Sequence, residues 1–292
     1  MIHNLISQGQ QKAVSQACRV LQVSRSGYYA ARRSAGKPAI CADSVHVKAA
    51  FVANQRCYGS RRIVDELKAK NVVMGRFKVR RLMREAGLKP VWKRKFMNTT
   101  DSKHDLPVAE NLLNRQFNPP QSNRAWTSDI TYIRTRTGWL YLAAVMDLHS
   151  RKIIGWAMSP TMPAALVCQA LRTAIGQRQP AAGLMLHSDR GSQYASHEYQ
   201  ALLKQHGIIC SMSRKGNCWD NAVMERFFLN LKMERVWQRE YANQMEAHKD
   251  VTDYIVGFYN STRRHSALGN LAPIAFEKQS AVKQPIVLSE IT

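Results

Sequence analysis

Three runs of apolar and β-branched residues, at 126–135, 139–148 and 152–159, are separated only by short turns around Thr137-Gly138 and His149-Ser150. Each run suits a strand, and turns that short join antiparallel neighbours. In the middle of the first run, Trp126-Thr127-Ser128-Asp129-Ile130-Thr131-Tyr132 sets a carboxylate among apolar residues, where an isolated charge is costly unless paired or metal-bound. An edge strand that turns Asp129 to solvent is the alternative. Beyond the three strands the pattern predicts a helix at 163–177, a strand at 184–187, a helix near 197–206 and a short strand at 208–212. A meander followed by alternating helix and strand is an α/β domain with a mixed sheet.

Two further acids stand where chemistry would use them. Asp189 lies in His187-Ser188-Asp189-Arg190-Gly191-Ser192-Gln193-Tyr194, at the end of a strand in a glycine-containing turn. Taken alone it is equally a turn aspartate bonding local backbone. Glu225 lies in Asn217-Cys218-Trp219-Asp220-Asn221-Ala222-Val223-Met224-Glu225-Arg226-Phe227-Phe228. Three carboxylates on separate elements are the minimum for two hard cations: magnesium takes oxygen ligands and keeps several waters, and two ions about 4 Å apart clamp both oxygens of an in-line phosphoryl displacement. Over 221–237 the helical period gathers Val223, Met224, Phe227, Phe228 and Leu231 on one apolar stripe, with Glu225 and Lys232 within about 20° of each other at its border. That pair is either an exposed couple of little weight or an acid for metal beside a base for phosphate. Asp147 ends the second strand and reads as structural, and Asp220 and Asn221 read as helix caps.

The 35 residues between Asp189 and Glu225 join Trp-x-x-Asp-Ile-Thr, His-Ser-Asp-x-Gly-x-Gln-Tyr, Asp147-Leu148-His149-Ser150-Arg151 and Tyr259-Asn260-Ser261-Thr262-Arg263-Arg264-His265 in one chain. In these motifs the chain resembles the DDE transposase and retroviral-integrase superfamily, and within it the downstream-frame protein of the insertion-sequence-three family. The resemblance implies a ribonuclease-H-like mixed sheet with flanking helices behind an all-α, helix-turn-helix-like region. It implies that Asp129, Asp189 and Glu225 are catalytic and ligate two magnesium ions, with manganese able to substitute, and that Lys232 touches DNA phosphate. The activity implied is transposon-end cleavage and strand transfer on double-stranded DNA, by a homo-oligomer, with an upstream-frame partner or fusion, in the prokaryotic cytosol or nucleoid. Two rivals stand beside it: a nuclease of the same fold that joins nothing, and a DNA-binding regulator whose acids are inert.

Charge divides the chain. Residues 1–124 hold 24 Lys and Arg against 7 Asp and Glu, a net of +17, whereas 125–292 hold 19 against 13, a net of +6. The front half is therefore the expected polyanion binder, and no apolar run approaches membrane-spanning length. Residues 10–33 read as two short helices, the end of a helix-turn-helix or a plain hairpin. A clearer pair follows at 60–70 and 76–86, joined by a turn at 71–75. On its second helix Val79, Leu82, Met83 and Ala86 share a face while Arg76, Arg80 and Arg84 recur every four residues on another, a basic ridge of the kind that fits a major groove. Lys93, Arg94 and Lys95 beside Trp92 and Phe96 suit backbone contact, as do Arg214 and Lys215 in the basic glycine-containing loop 213–217. The expected division is a helical DNA-binding region at 1–97, a linker at 98–124, a catalytic core at 125–262 and a basic tail at 263–292 that includes Arg263-Arg264-His265. The six cysteines form no Cys-x-x-Cys pair and read as reduced, and no segment has zinc-ligand spacing.

Overall fold

The computed structural model describes residues 14–20, 22–35, 41–91, 108–214 and 217–282. Strands β1 (Ala125–Thr135), β2 (Gly138–Asp147) and β3 (Ile153–Ser159) form the expected antiparallel meander. The β1–β2 hairpin turns at Gly138, whose φ of +129° suits only glycine. Strands β4 (Met185–Ser188) and β5 (Ile209–Met212) then add in parallel beside β1, giving the order β3-β2-β1-β4-β5. The result is the mixed five-stranded sheet expected of the ribonuclease-H-like class.

Both sheet faces are covered. Along β2, Ala143 and Val145 point to one face and Leu142, Ala144 and Met146 to the other, all buried, as a central strand requires. The first face carries α6 (Ala164–Arg178), the short α7 (Ser192–Ala195) and α8 (His197–Gln205). Here Gly155 on β3 permits contact between strand and helix backbone. A Cβ at that position would press into the carbonyl oxygen of Ala170 and come within 2.6 Å of the Ala174 nitrogen. Gly155→Ala is therefore expected to cost about 1–3 kcal/mol by overpacking, read as a lower urea midpoint. Wild-type stability in this variant would mean that α6 is free to move aside.

The second face carries α9 (Ala222–Glu234), α10 (Gln244–Asp253) and a π-helical turn at Tyr254–Asn260. Its apolar cluster does not stop at the sheet. Met224, Phe227, Leu231, Tyr254 and Phe258 run into Phe51, Tyr58, Ile63, Leu67 and Leu82 of a helical unit made of α3 (Ala42–Ala53), α4 (Ser60–Ala69) and α5 (Arg76–Glu85). Two further helices, α1 (Val14–Val20) and α2 (Arg25–Ala35), precede it.

The C-terminal segment joins these parts: residues 263–282 of the expected tail pack against them, and 283–292 lie outside the described residues. Arg263 is 3% exposed and holds Glu234 through two bonds of 2.8 and 2.7 Å. The backbone N–H of Arg264 donates to the Tyr58 hydroxyl at 2.7 Å, while its guanidinium reaches Glu66 at 3.1 Å. Helix α11 (Pro273–Val282) places Glu277 against Ser150, Lys152 and Arg178. The last part of the expected linker, 108–124, is packed too: the N–H groups of Leu112 and Leu113 donate to Ser211 Oγ on β5. Among the described residues no helix is long and apolar enough to cross a membrane.

Candidate active site

The parallel pairing of β1 with β4 sets Ala125 beside Met185, Trp126 beside Leu186 and Thr127 beside His187. That ladder ends two residues short of Asp129 on β1 and of Asp189 beyond β4, and after burial the charge of Asp189 is the largest influence on Asp129. Because β4 ends at Ser188, the two acids stand where the sheet opens. The Asp129 Oδ1 accepts from the N–H of Ile130 at 2.8 Å, and Asp189 Oδ1 accepts from the N–H of Gly191 at 2.9 Å. The local turn bond proposed as the bland alternative for Asp189 thus exists and uses one carboxylate oxygen.

Electrostatics tie the third acid to them. Withdrawal from water raises the proton affinity of Asp129 well above the usual carboxylate range, and the charges of Asp189 and then Glu225 raise it further; the Ile130 N–H and the Lys232 ammonium pull the other way. Glu225 sits in the first turn of α9, where the helix dipole favours an anion. Its carboxyl is exposed, and its proton affinity is raised by partial loss of hydration. Among the described residues no three His, Cys, Asp or Glu groups close into a ready-made metal cage. The donor set itself is all carboxylate oxygen, which suits a hard cation that keeps several of its waters.

Lys232 lies two turns along α9 and makes no ion pair with Glu225. Its Nζ sits 4.5 Å from the centre of the Tyr132 ring and feels Asp129, while burial lowers its proton affinity. The salt-bridge alternative for Glu225 and Lys232 is therefore absent.

The turn before α9 corrects the expected caps. Asn221 makes no capping bond; its Oδ1 accepts from Thr127 Oγ1 at 2.6 Å and its Nδ2 donates to the Ser128 carbonyl at 3.4 Å, tying the helix start to the strand that bears Asp129. Asp220 is fully buried and accepts from Asn111 at 2.8 Å, Arg115 at 2.9 Å and the Arg214 backbone at 3.0 Å. Burial opposes its ionisation, but these donors outweigh it and hold the carboxyl at about 2. A buried carboxylate with that many donors was invisible in sequence, because its partners lie up to 109 residues away. His187, 0% exposed, bridges Ser211 and Ser213 across β5; burial pulls it down to about 4, so the ring is neutral at pH 7.

The expected DNA contacts divide three ways. Arg76, Arg80 and Arg84 are all exposed on α5 while Val79, Leu82 and Met83 are buried beneath them. The Arg214 guanidinium is committed to Asp220 and Asn114. Lys93, Arg94, Lys95 and Lys215 lie outside the described residues. Asp147, read as structural, accepts the N–H groups of Asn123, His149 and Ser150.

Residues 119–218 and 206–273 match integrase core domain families, and residues 41–96 match an HTH-like domain family. Among solved structures, a simian T-cell lymphotropic virus intasome in complex with a PP2A regulatory subunit overlays at a TM-score of 0.48 and 13% identity, covering 83% of this chain and 76% of that one. The insertion element IS600 31 kDa protein of Shigella sonnei is 43% identical over 90% of this chain and 97% of its own length. Transposase InsF for insertion sequence IS3A of Escherichia coli is 42% identical over 92% of this chain and 95% of its own. With identity sustained over nearly the whole of both lengths, the chain belongs to the IS3 family of insertion-sequence transposases.

Proposed function

We propose that this DDE-type polynucleotidyl transferase cuts DNA at the ends of its insertion sequence and joins the freed 3′ ends to target DNA, with Asp129, Asp189 and Glu225 as ligands for divalent metal. The observation that supports the site is the coupling of Asp129 first to Asp189 and then to Glu225, two residues beyond the last pair of the β1–β4 ladder. Bound there, two magnesium ions, or manganese in their place, would supply Lewis acidity to the reacting phosphate and its attacking oxygen. Asp129, whose proton affinity is raised by both other acids, would hold the metal together with Asp189 and with Glu225 on its own helix. Arg76, Arg80 and Arg84 hold duplex DNA through α5. The homo-oligomer that brings two ends together, and a fusion or partner from an upstream frame, belong to the same reading.

Labelled transposon ends incubated with the full chain and magnesium test this reading. Joined products support it, and cut ends without joining favour the nuclease. Lys232 refines the test. If its ammonium holds a phosphate beside Asp129, Lys232→Ala lowers joining roughly tenfold to a hundredfold, the equivalent of one charge-assisted contact. Lys232→Arg keeps the charge and recovers much of the loss. Joining by Lys232→Ala at the wild-type rate, on pre-cut ends at high salt, would remove this residue from the site.

A further inference from the structure

Trp219 is 69% exposed, the most exposed tryptophan among the described residues, yet the two residues that follow it in its turn are buried and hydrogen-bonded to several partners. This 3-10 turn, Cys218–Asn221, is anchored immediately beyond the indole by buried Asp220, which gathers Asn111, Arg115 and Arg214, and by Asn221, which holds Thr127 and Ser128. The indole is thus held out in water by its scaffold. An aromatic ring presented on a rigid turn loses little freedom when it finds a partner. Its position narrows the partner further: one residue, Asp220, separates Trp219 from Asn221, whose bonds fall on the two residues before Asp129, and Glu225 lies in the first turn of the helix that follows. Arg226 is exposed beside Glu225, and the chain carries a net +23.

We infer that Trp219 is a stacking platform for one DNA base next to the reacting phosphate, a base turned out of the duplex at the transposon end. This rests on the proposed reading of the carboxylates as the reaction centre. An indole offers a sequence-tolerant face to any base, but only to a base that has left the helical stack. Trp219 therefore favours DNA whose terminal pair is opened, and it fixes the strand against the site without touching metal.

Equilibrium binding of the full chain, in chelator, to duplexes bearing the inverted-repeat end of its own element tests this. One abasic nucleotide is moved along the positions that flank the scissile phosphate. At one position the wild type loses roughly 5- to 150-fold in affinity, the equivalent of a base–aromatic stack. Trp219→Ala loses the same factor on intact DNA and nothing more on the abasic duplex, while Trp219→Phe keeps most of the affinity. Losses that multiply at every position overturn the inference, as does wild-type affinity in Trp219→Ala. A shift in self-association of the DNA-free Trp219→Ala chain assigns the indole to a protein contact and overturns it equally. Because binding is read without divalent metal, a wild type that binds but never joins ends defeats the metal-site reading and leaves the stacking result standing.

Discussion

Asp129→Asn should abolish both end cleavage and strand transfer, by about a thousandfold or more, the rate equivalent of the several kcal/mol that a metal Lewis acid supplies. DNA binding should persist, since the arginines of α5 lie on a different unit. Asp189→Asn and Glu225→Gln should fall with it, and retained joining in any one strikes that residue from the ligand set. The same variant carries a stability signature of opposite sign. In the folded chain Asp129 keeps its proton above the usual carboxylate range, first through removal from water and then through Asp189 and Glu225. The unfolded chain gives up that proton earlier as pH rises. Stability is therefore full below the ordinary carboxylate range and is lost as pH climbs through the raised value, after which the loss is constant. An asparagine escapes the loss. Without divalent metal Asp129→Asn should melt above the wild type at neutral pH and level with it in acid, and magnesium should raise the wild type alone. A wild type indifferent to magnesium, with no gap between the two proteins at neutral pH, would count against clustered carboxylates.

Glu234→Gln should cost about 3–5 kcal/mol, the penalty for leaving a buried charge without its partner. Arg263 and Glu234 have side chains only 3% and 6% exposed, and Tyr254 adds a third bond to the same carboxylate at 2.7 Å. Burial opposes the Arg263 charge, but the Glu234 bonds and field outweigh it and push its proton affinity up. Replacing both partners with apolar residues of similar volume, Glu234→Leu with Arg263→Met, should hurt less than either change alone, because nothing charged remains unpaired. Urea melts of these four variants and the wild type decide it. A single substitution that costs less than about 1 kcal/mol would place the pair effectively in solvent.

Most of the sheet was legible because its signals are local: β-branched runs, glycine turns and abrupt changes of period. The helices at 60–70 and 76–86 declared themselves through one apolar face and one charged face. Helix α3 gave no such contrast, since Ala42–Ala53 is apolar or small on nearly every side and Cys41 makes no capping bond. The three acids of the candidate site stood out through the motifs that carry the family resemblance, each having a bland local reading when taken alone. The second rank did not: Asn221 looks like a cap until the strand beneath it is in place, and Arg263 looks like a surface cation until Glu234 folds over it. Both identities are settled by partners distant in sequence, which local pattern does not encode.

The apolar cluster that runs unbroken from α5 to Phe227 and Phe258, locked by Arg264 on Glu66 and Tyr58, makes the chain a calliper. Were the arginines of α5 seated in a groove, as proposed, the carboxylates would stand at a set distance and a set angle from the bases read there. Each base pair added between the two would displace the cut by about 3.4 Å and turn it by roughly a tenth of a revolution. On that reading the spacing from recognised sequence to severed bond would be a property of protein packing, and the element's ends would have to match that gauge.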